Sequence, residues 1–235
     1  MQDNCLDCRE WSASRGQQFA ARWGELLFVA HREVDNAKQV YNSTRELAAS
    51  HGRDPDQMRI TNLVFPIVGR TLSEAEDRKA AYDELPKDID ELSLLSEGLN
   101  FDFASKGLDE PFTEEELEGL SGIQAIRDRV VASTGEANPT VRDFMKVTGR
   151  ATADHAVVGG PTELADYFEQ WFTEPACDGF VIGGTHTPGT LEDFVDLVVP
   201  ELQRRGLFRT DYRGSTLRSH LGIDQPARGS WTTAR

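Results

Sequence analysis

Short apolar runs alternate along the chain with longer stretches of mixed polarity. Glu25-Leu-Leu-Phe-Val-Ala30 is a brief apolar run flanked by Gly24 and polar residues, which predicts a buried strand. Met58 to Val68 holds Ile60, Leu63, Val64 and Phe65 and predicts a second. Pro66 has no amide proton to give to a ladder, so that strand is expected to end near it. Gly179-Phe-Val-Ile-Gly183 predicts a third. Between them the spacing is helical. Ser14 to Trp23 sets Phe19, Ala20 and Trp23 on one side. Val34 to Ser50 carries Val34, Ala37, Val40, Tyr41, Leu47 and Ala48, with Gly52 beyond as a stop. Ser73 with Glu76 three residues on reads as a capping box, opening a helix that runs to about Leu85 and stops at Pro86. Pro161 to Thr173 is amphipathic, with Leu164, Ala165, Phe168, Trp171 and Phe172 as a core stripe. Thr190 is expected to cap a last long helix with Leu191, Phe194, Val195, Leu197, Val198 and Leu202 facing inward and a kink at Pro200.

Residues 87–150 break this rhythm. Thr113 with Glu116 makes another capping box, so a helix is expected from 113, running to about 133 with breaks near Gly119 and Gly122, and a short helix follows Pro139. The segment reads as a helical insertion over the body of the fold. Such insertions serve as lids and binding loops, or simply as packed hairpins, and both readings stand. Buried strands alternating with helices place the chain in the α/β class with a parallel sheet. Three strands fit a fragment of a (β/α)8 barrel or a small open sheet equally well.

The 235 residues suffice for one large domain or two small ones, and 38% hydrophobic content permits a buried core. There is no apolar run long enough to span a bilayer, and Met1 to Trp11 is polar, unlike a signal peptide; a cytoplasmic location is expected. Forty acidic against 25 basic residues give a formal charge of −15, which argues against nucleic acid and anionic membranes as partners. Cys5, Cys8 and Cys177 are too few and too oddly counted for a disulfide framework. The lone Cys5-Leu-Asp-Cys8 lacks the two further ligands that a structural zinc site needs, so no metal is expected. Neither a GxGxxG nor a P-loop occurs, and no Ser-His-Asp arrangement follows from spacing.

Four stretches carry a resemblance. They are Gly16-Gln-Gln-Phe-Ala-Ala-Arg-Trp-Gly-Glu-Leu-Leu-Phe28; Val64-Phe-Pro-Ile-Val-Gly-Arg-Thr71 with Tyr82-Asp-Glu-Leu85 beyond it; Val158-Gly-Gly-Pro-Thr-Glu-Leu-Ala-Asp166; and Asp178-Gly-Phe180 through Asp193-Phe-Val-Asp-Leu-Val-Val-Pro-Glu-Leu-Gln-Arg-Arg-Gly-Leu-Phe-Arg-Thr210 to Leu221-Gly222. In that order they resemble the nitrilotriacetate monooxygenase, dibenzothiophene-sulfone monooxygenase and pristinamycin synthase group of flavin-dependent monooxygenases, in the bacterial-luciferase-like superfamily. The resemblance implies the C-terminal portion of a (β/α)8 TIM-type barrel with a helical insertion, holding the last three barrel strands at 25–30, 58–65 and 179–183. It divides the chain into residues 1–11 outside the family sequence, a partial barrel over 12–223 with the insertion at about 87–150, and a flexible tail over 224–235. Arg9-Glu10-Trp11 stands where the family has Gln-Ala-Gly, so a frameshift or misplaced start upstream is expected.

The resemblance further implies an enzyme that uses reduced FMN and O2 to oxygenate a small organic substrate, with the reduced flavin supplied by a separate flavin reductase. Ser12 and the backbone of Ala13 match the pair that holds the FMN phosphate, with Ser14 as the displaced second hydroxyl. Thr185 and His186 follow the third strand and His31 follows the first, where the active face of a barrel would lie, so they are candidates to line the flavin or substrate pocket; an ordinary turn is the other reading. His51, His155 and His220 read as surface or cap residues. The family's main catalytic residues fall in strands this chain lacks, so no general base is assigned. The alternative function is a non-catalytic fragment or partner-pairing module. The strand at 25–30 has no charge or proline at Leu26, Leu27 or Phe28 to blunt an open edge, so homo-oligomerisation, aggregation or pairing with a second chain that completes the barrel is expected.

Overall fold

A computed structural model describes residues 15–122, 124–148, 156–212 and 214–225. Its centre is a parallel sheet of β1 (Leu26–Val29), β2 (Arg59–Val68), β3 (Ala156–Gly159) and β4 (Gly179–Ile182). The α/β class is therefore as expected, with one strand more than the three that were anticipated. β1 pairs with the first half of β2, Leu26 opposite Arg59 through Val29 opposite Asn62. β4 pairs with Thr61–Val64, and β3 with Phe65–Val68.

β2 does not stop at Pro66. The Arg59 amide donates to the Glu25 carbonyl and the Gly69 amide to Gly159, so odd-numbered amides point toward β1 and β3. Successive amides of a strand alternate in direction. The nitrogen of Pro66 therefore faces the β4 side, where the pairing has already ended at Val64. There is no ladder bond there for proline to remove.

The two faces of β2 differ. Ile60, Asn62 and Val64 are buried under helices, whereas Thr61, Leu63 and Phe65 are half-buried or exposed on the opposite face. On the covered face, Val64 and Val68 meet Leu164, Ala165 and Phe168 of α8 (Pro161–Thr173) and Phe194, Val198 and Leu202 from the helix that follows β4. Phe172 was expected in the α8 stripe but is exposed, lying off the face that meets the sheet.

The helix after β4 opens with α9 (Gly189–Asp193), widens into a π-helical stretch at Phe194–Val198 and continues as α10 (Val199–Arg204). The Val199 amide reaches back five residues to the Phe194 carbonyl, and Pro200 follows where the wider winding relieves the demand for its missing donor. Thr190 is not the cap; Pro188 holds that position and Thr190 lies within the helix. Phe194, Val198 and Leu202 face the core as expected, but Leu191 and Val195 are exposed.

Before β1 runs α1 (Arg15–Trp23), and after it α2 (Val34–Ser50), the span that its periodicity predicts. α3 (Leu72–Asp83) is capped by Thr71, whose hydroxyl accepts from the Glu74 amide, two residues earlier than the expected Ser73. Thr71 is favoured because the extended backbone that leaves β2 ends there.

Residues 88–148 build a separate helical unit from α4 (Asp88–Leu99), α5 (Glu114–Gly119), α6 (Gln124–Thr134) and α7 (Val141–Thr148). The Thr113 capping box is present, its hydroxyl accepting from the Glu116 amide while Glu116 accepts from the Thr113 amide. Its core is its own: Leu95, Leu99, Phe103, Phe112, Leu120, Ile126, Val130 and Phe144 are fully buried together. Phe103, Phe112 and Phe144 form a mutual triangle with ring centroids 5.1–5.4 Å apart, in tilted or edge-on geometries favoured by the ring quadrupoles. Beyond β4 and α10, α11 (Leu217–Leu221) is tied back by Arg59, which donates to the carbonyls of Leu221 and Gly222. Among the described residues no helix is long and apolar enough to cross a membrane.

Candidate functional site

Parallel strands joined by helices put all their C-terminal ends on one rim, and there the loops carry chemistry. β1 and β4 flank the first half of β2, so His31 and the loop after Ile182 open on the same rim, about 10 Å apart by strand spacing.

The loop is Gly183-Gly-Thr-His-Thr-Pro188. Its first residue must be small: a Cβ on Gly183 would lie 2.3 Å from the Phe65 ring. Gly189 has the same role beneath His186, where a Cβ would meet Nε2 at 2.3 Å. The Thr187–Pro188 peptide is cis. The organising group is the buried Thr190 hydroxyl. It lies 2.9 Å from the Thr185 hydroxyl, accepts from the His186 amide at 3.1 Å and lies 2.9 Å from His186 Nδ1. Tyr82, at the end of α3, brings its hydroxyl to 2.8 Å from the same Nδ1. If Nδ1 accepts from Tyr82, the ring proton is on Nε2, which lies over Gly189. Thr185 and His186 are thus brought together on the rim, and His186 is exposed.

His31 is held differently. Its amide donates to Asn62 Oδ1 at 2.8 Å, and its carbonyl accepts from Asn62 Nδ2 at 3.1 Å. Asn62 is fully buried in β2, so a side-chain amide fastens the end of β1 to its neighbour. His31 itself is buried, and burial pushes its pKa below the ordinary histidine value, which favours the neutral ring. Arg78 of α3 braces the same rim. It donates to the Val68 carbonyl and pairs with Glu74 and Asp193, joining β2, α3 and α9.

Ser12, Ala13 and Ser14 lie outside the described residues, as do Cys5, Cys8 and His155. His51 caps α2 and contacts Gln18, and His220 stacks near Tyr212, both away from the rim. Cys177 is buried, and burial pushes its thiol up to about 12, which makes it a poor nucleophile. No group of three or more His, Cys, Asp or Glu suited to a metal ion occurs among the described residues. Three contributors were missed in the sequence: Asn62, Tyr82 and Thr190. Asn62 had a signal, being a polar residue inside an apolar strand run, where a buried amide must find partners.

Residues 12–198 match the model of the family described as luciferase-like monooxygenase. A pristinamycin IIA synthase subunit of Streptomyces pristinaespiralis is 37% identical over 92% of this chain and 50% of its own length. Nitrilotriacetate monooxygenase component A of Aminobacter aminovorans is 36% identical over 92% of this chain and 48% of its own length. The crystal structure of DmoA from Hyphomicrobium sulfonivorans superposes with a TM-score of 0.69 at 31% identity, over 89% of this chain and 43% of that one. The chain therefore spans about half the length of the curated relatives it matches. Its parallel sheet is that of a structure of which it covers less than half. With a family match over most of its residues and a concordant parallel sheet, the chain belongs to the luciferase-like monooxygenase family.

Proposed function

We propose that this chain is the back part of an FMN-dependent monooxygenase, which uses reduced FMN and O2 to oxygenate a small organic substrate. The observation that carries the reading is the Tyr82–His186–Thr190–Thr185 cluster, placed on the strand-end rim of a chain in this family. One neighbouring structure of the same fold is a riboflavin lyase with modified FMN.

The described residues fit a flavin in two respects. Phe28 and Phe65 stand partly exposed near the strand ends, where a flat aromatic ring could lie. The first turn of α1 has no acidic side chain, so nothing there repels a phosphate from the helix N-terminus that Ser12, Ala13 and Ser14 precede. When bound, reduced FMN would supply the electrons that activate O2. The chain's own residues would do the rest. Ser12, Ala13 and Ser14 hold the phosphate. Phe28 and Phe65 exclude water. Tyr82 and Thr190 would fix the His186 ring at the rim, and Thr185 and His31 would line the same opening. A separate flavin reductase delivers the reduced cofactor.

The test is an anaerobic titration of reduced FMN followed by absorbance. Saturable binding that weakens at least tenfold in a Ser12→Ala/Ser14→Ala double variant supports the reading; an equal response in that variant removes the phosphate assignment, and no saturable binding in a folded sample removes the flavin reading. A second reading, a non-catalytic module that pairs with a partner, is favoured by the half-length coverage.

A further inference from the structure

A groove of about 920 Å³ runs beside β4, between α8 and the helix over 189–204. That volume is in the range of small-molecule sites. Much of its wall is apolar. Phe172 of α8, Ile182 of β4, and Leu191 and Val195 of the helix line it. Phe172, Leu191 and Val195 are 53%, 45% and 57% exposed. The helix over 189–204 therefore carries two apolar stripes. Phe194, Val198 and Leu202 meet the core, whereas Leu191 and Val195, one turn apart, are left to the groove. A helix apolar on two faces has a second surface to cover.

The other end of the groove is basic. Gly179, at the start of β4, is opposite Thr61, and Ile182 is three residues farther along, about 10 Å away at strand spacing. Arg59 lies beside that start and donates to the carbonyls of Leu221 and Gly222. The His220 ring is 4.7 Å from Tyr212, and the Arg209 guanidinium lies 4.4 Å from the Tyr212 ring and 4.7 Å from Phe208. This chain of contacts brings Arg59, His220 and Arg209 to one end, away from Ile182 and Leu191.

The charges there are unequal. Arg45, Arg59 and Arg209 line the groove against Asp56 and Asp178. Asp56 is paired with Arg45. The Asp178 carboxylate accepts from the Tyr41 hydroxyl at 2.9 Å and the Ile60 amide at 2.8 Å. Arg59 gives its donors to main-chain carbonyls, and Arg209 donates to the Tyr212 hydroxyl at 3.1 Å. Neither has a carboxylate within ion-pair distance among the described residues. In a chain of formal charge −15, this is a locally positive end with an apolar continuation. The stacked rings hold the Arg209 guanidinium in place and leave it N–H groups for an anion. A neutral hydrocarbon would leave those cations unused. A second copy of this chain would bring a further −15 with it.

We propose that the groove is a binding site for a free single-chain anionic amphiphile, of the fatty-carboxylate class. Its head group lies at Arg59 and Arg209, and its tail lies against Phe172, Ile182, Leu191 and Val195. No member of the Tyr82–His186–Thr190–Thr185 cluster lines the groove, so the inference stands apart from the flavin reading.

The 235-residue chain is titrated with decanoate below its micelle concentration, while NMR follows the methyl groups of isoleucine, leucine and valine. Expected is saturable binding, with shifts confined to Ile182, Leu191, Val195 and Leu207. It should be at least tenfold tighter than for decanol, which lacks the charge, or butyrate, which lacks the tail. Val195→Asp and Arg209→Glu replace exposed side chains, so circular dichroism should persist while decanoate affinity falls at least tenfold. Arg209→Lys keeps the charge and should retain most of the affinity. Decanol binding as tightly as decanoate, shifts scattered over the surface, or affinity indifferent to both variants would each overturn the proposal. So would capture of the chain by phosphatidylglycerol vesicles without saturable binding of free decanoate, which would mark a membrane surface. Groove methyl groups that shift with protein concentration alone would mark a second copy as the occupant and overturn it equally.

Discussion

Tyr82 and His186 are 104 residues apart in sequence, yet the tyrosine hydroxyl sits 2.8 Å from the imidazole Nδ1. The tyrosine lies in the last turn of the helix after β2, and the histidine lies in the loop after β4, so the contact latches two adjacent βα units at the rim. Tyr82→Phe keeps the ring and deletes the latch. We expect a loss of about 0.5 kcal/mol in urea unfolding, the low end for a hydrogen bond because the pair is exposed. The larger effect should be on order: amide exchange in the 183–188 loop should rise severalfold, and an unchanged loop would show that Thr190 alone fixes His186.

Thr190→Val is expected to cost more. The buried hydroxyl serves the His186 amide, the Thr185 hydroxyl and His186 Nδ1 together. An isosteric valine leaves these groups without that partner, at about 1–3 kcal/mol. Thr190→Ser should recover most of the loss. Equal stability for valine and serine in chemical denaturation would mean that the hydroxyl contributes nothing.

Alkaline pH should destabilise the fold from about pH 9 upward. Burial pushes the Cys177 thiol up to about 12. Burial, with the charge of Asp178 that accepts its hydrogen bond, pushes Tyr41 up to about 12, and burial also raises Tyr167. The unfolded chain loses these protons near pH 9 for the thiol and near pH 10 for the phenols, as their ordinary values dictate. Between there and about pH 12 the folded state binds more protons than the unfolded one, so stability is complete below about pH 9 and falls as pH rises. A melting temperature that stays level from pH 8 to 11 would contradict this. Cys177→Ala should delay the onset of the decline by about a pH unit.

The helical unit over 88–148 has a core that is not shared with the sheet. Phe103→Ala opens a cavity in its aromatic triangle and should cost about 3–5 kcal/mol of local stability. Exchange protection should collapse across α4–α7 while β2, α8 and β4 keep theirs. Uniform loss over both regions would show that the two cores unfold together.

Much of the fold was legible because burial left a periodic trace. Three strands and α2 and α8 emerge from the apolar runs, since each carries apolar side chains into a buried cluster. β3 left no trace: Ala156-Val-Val-Gly159 is four residues long, and its strand character comes from pairing with Phe65–Val68, a tertiary fact. The extension of β2 past Pro66 was hidden for the same reason, because its tolerance depends on where β4 ends. Leu191, Val195 and Phe172 were assigned inward because hydrophobicity alone does not say which of two apolar stripes meets the core. The rim was half legible: His31, Thr185 and His186 follow from their place after strands. Tyr82 and Thr190 do not, because a tyrosine at a helix end and a threonine near a helix start have commoner uses than holding an imidazole.

Every strand pairing among the described residues passes through β2, in which Arg59–Asn62 meet β1, Thr61–Val64 meet β4 and Phe65–Val68 meet β3. The network of strands is a star with one hub. β1, β3 and β4 hold no hydrogen-bonded bridge to one another, so the sheet has no route to come apart strand by strand once the hub is drawn out. Pulled from within residues 59–68, it should yield in one rupture; pulled from β1 or β3, it should shed one spoke and keep the remainder.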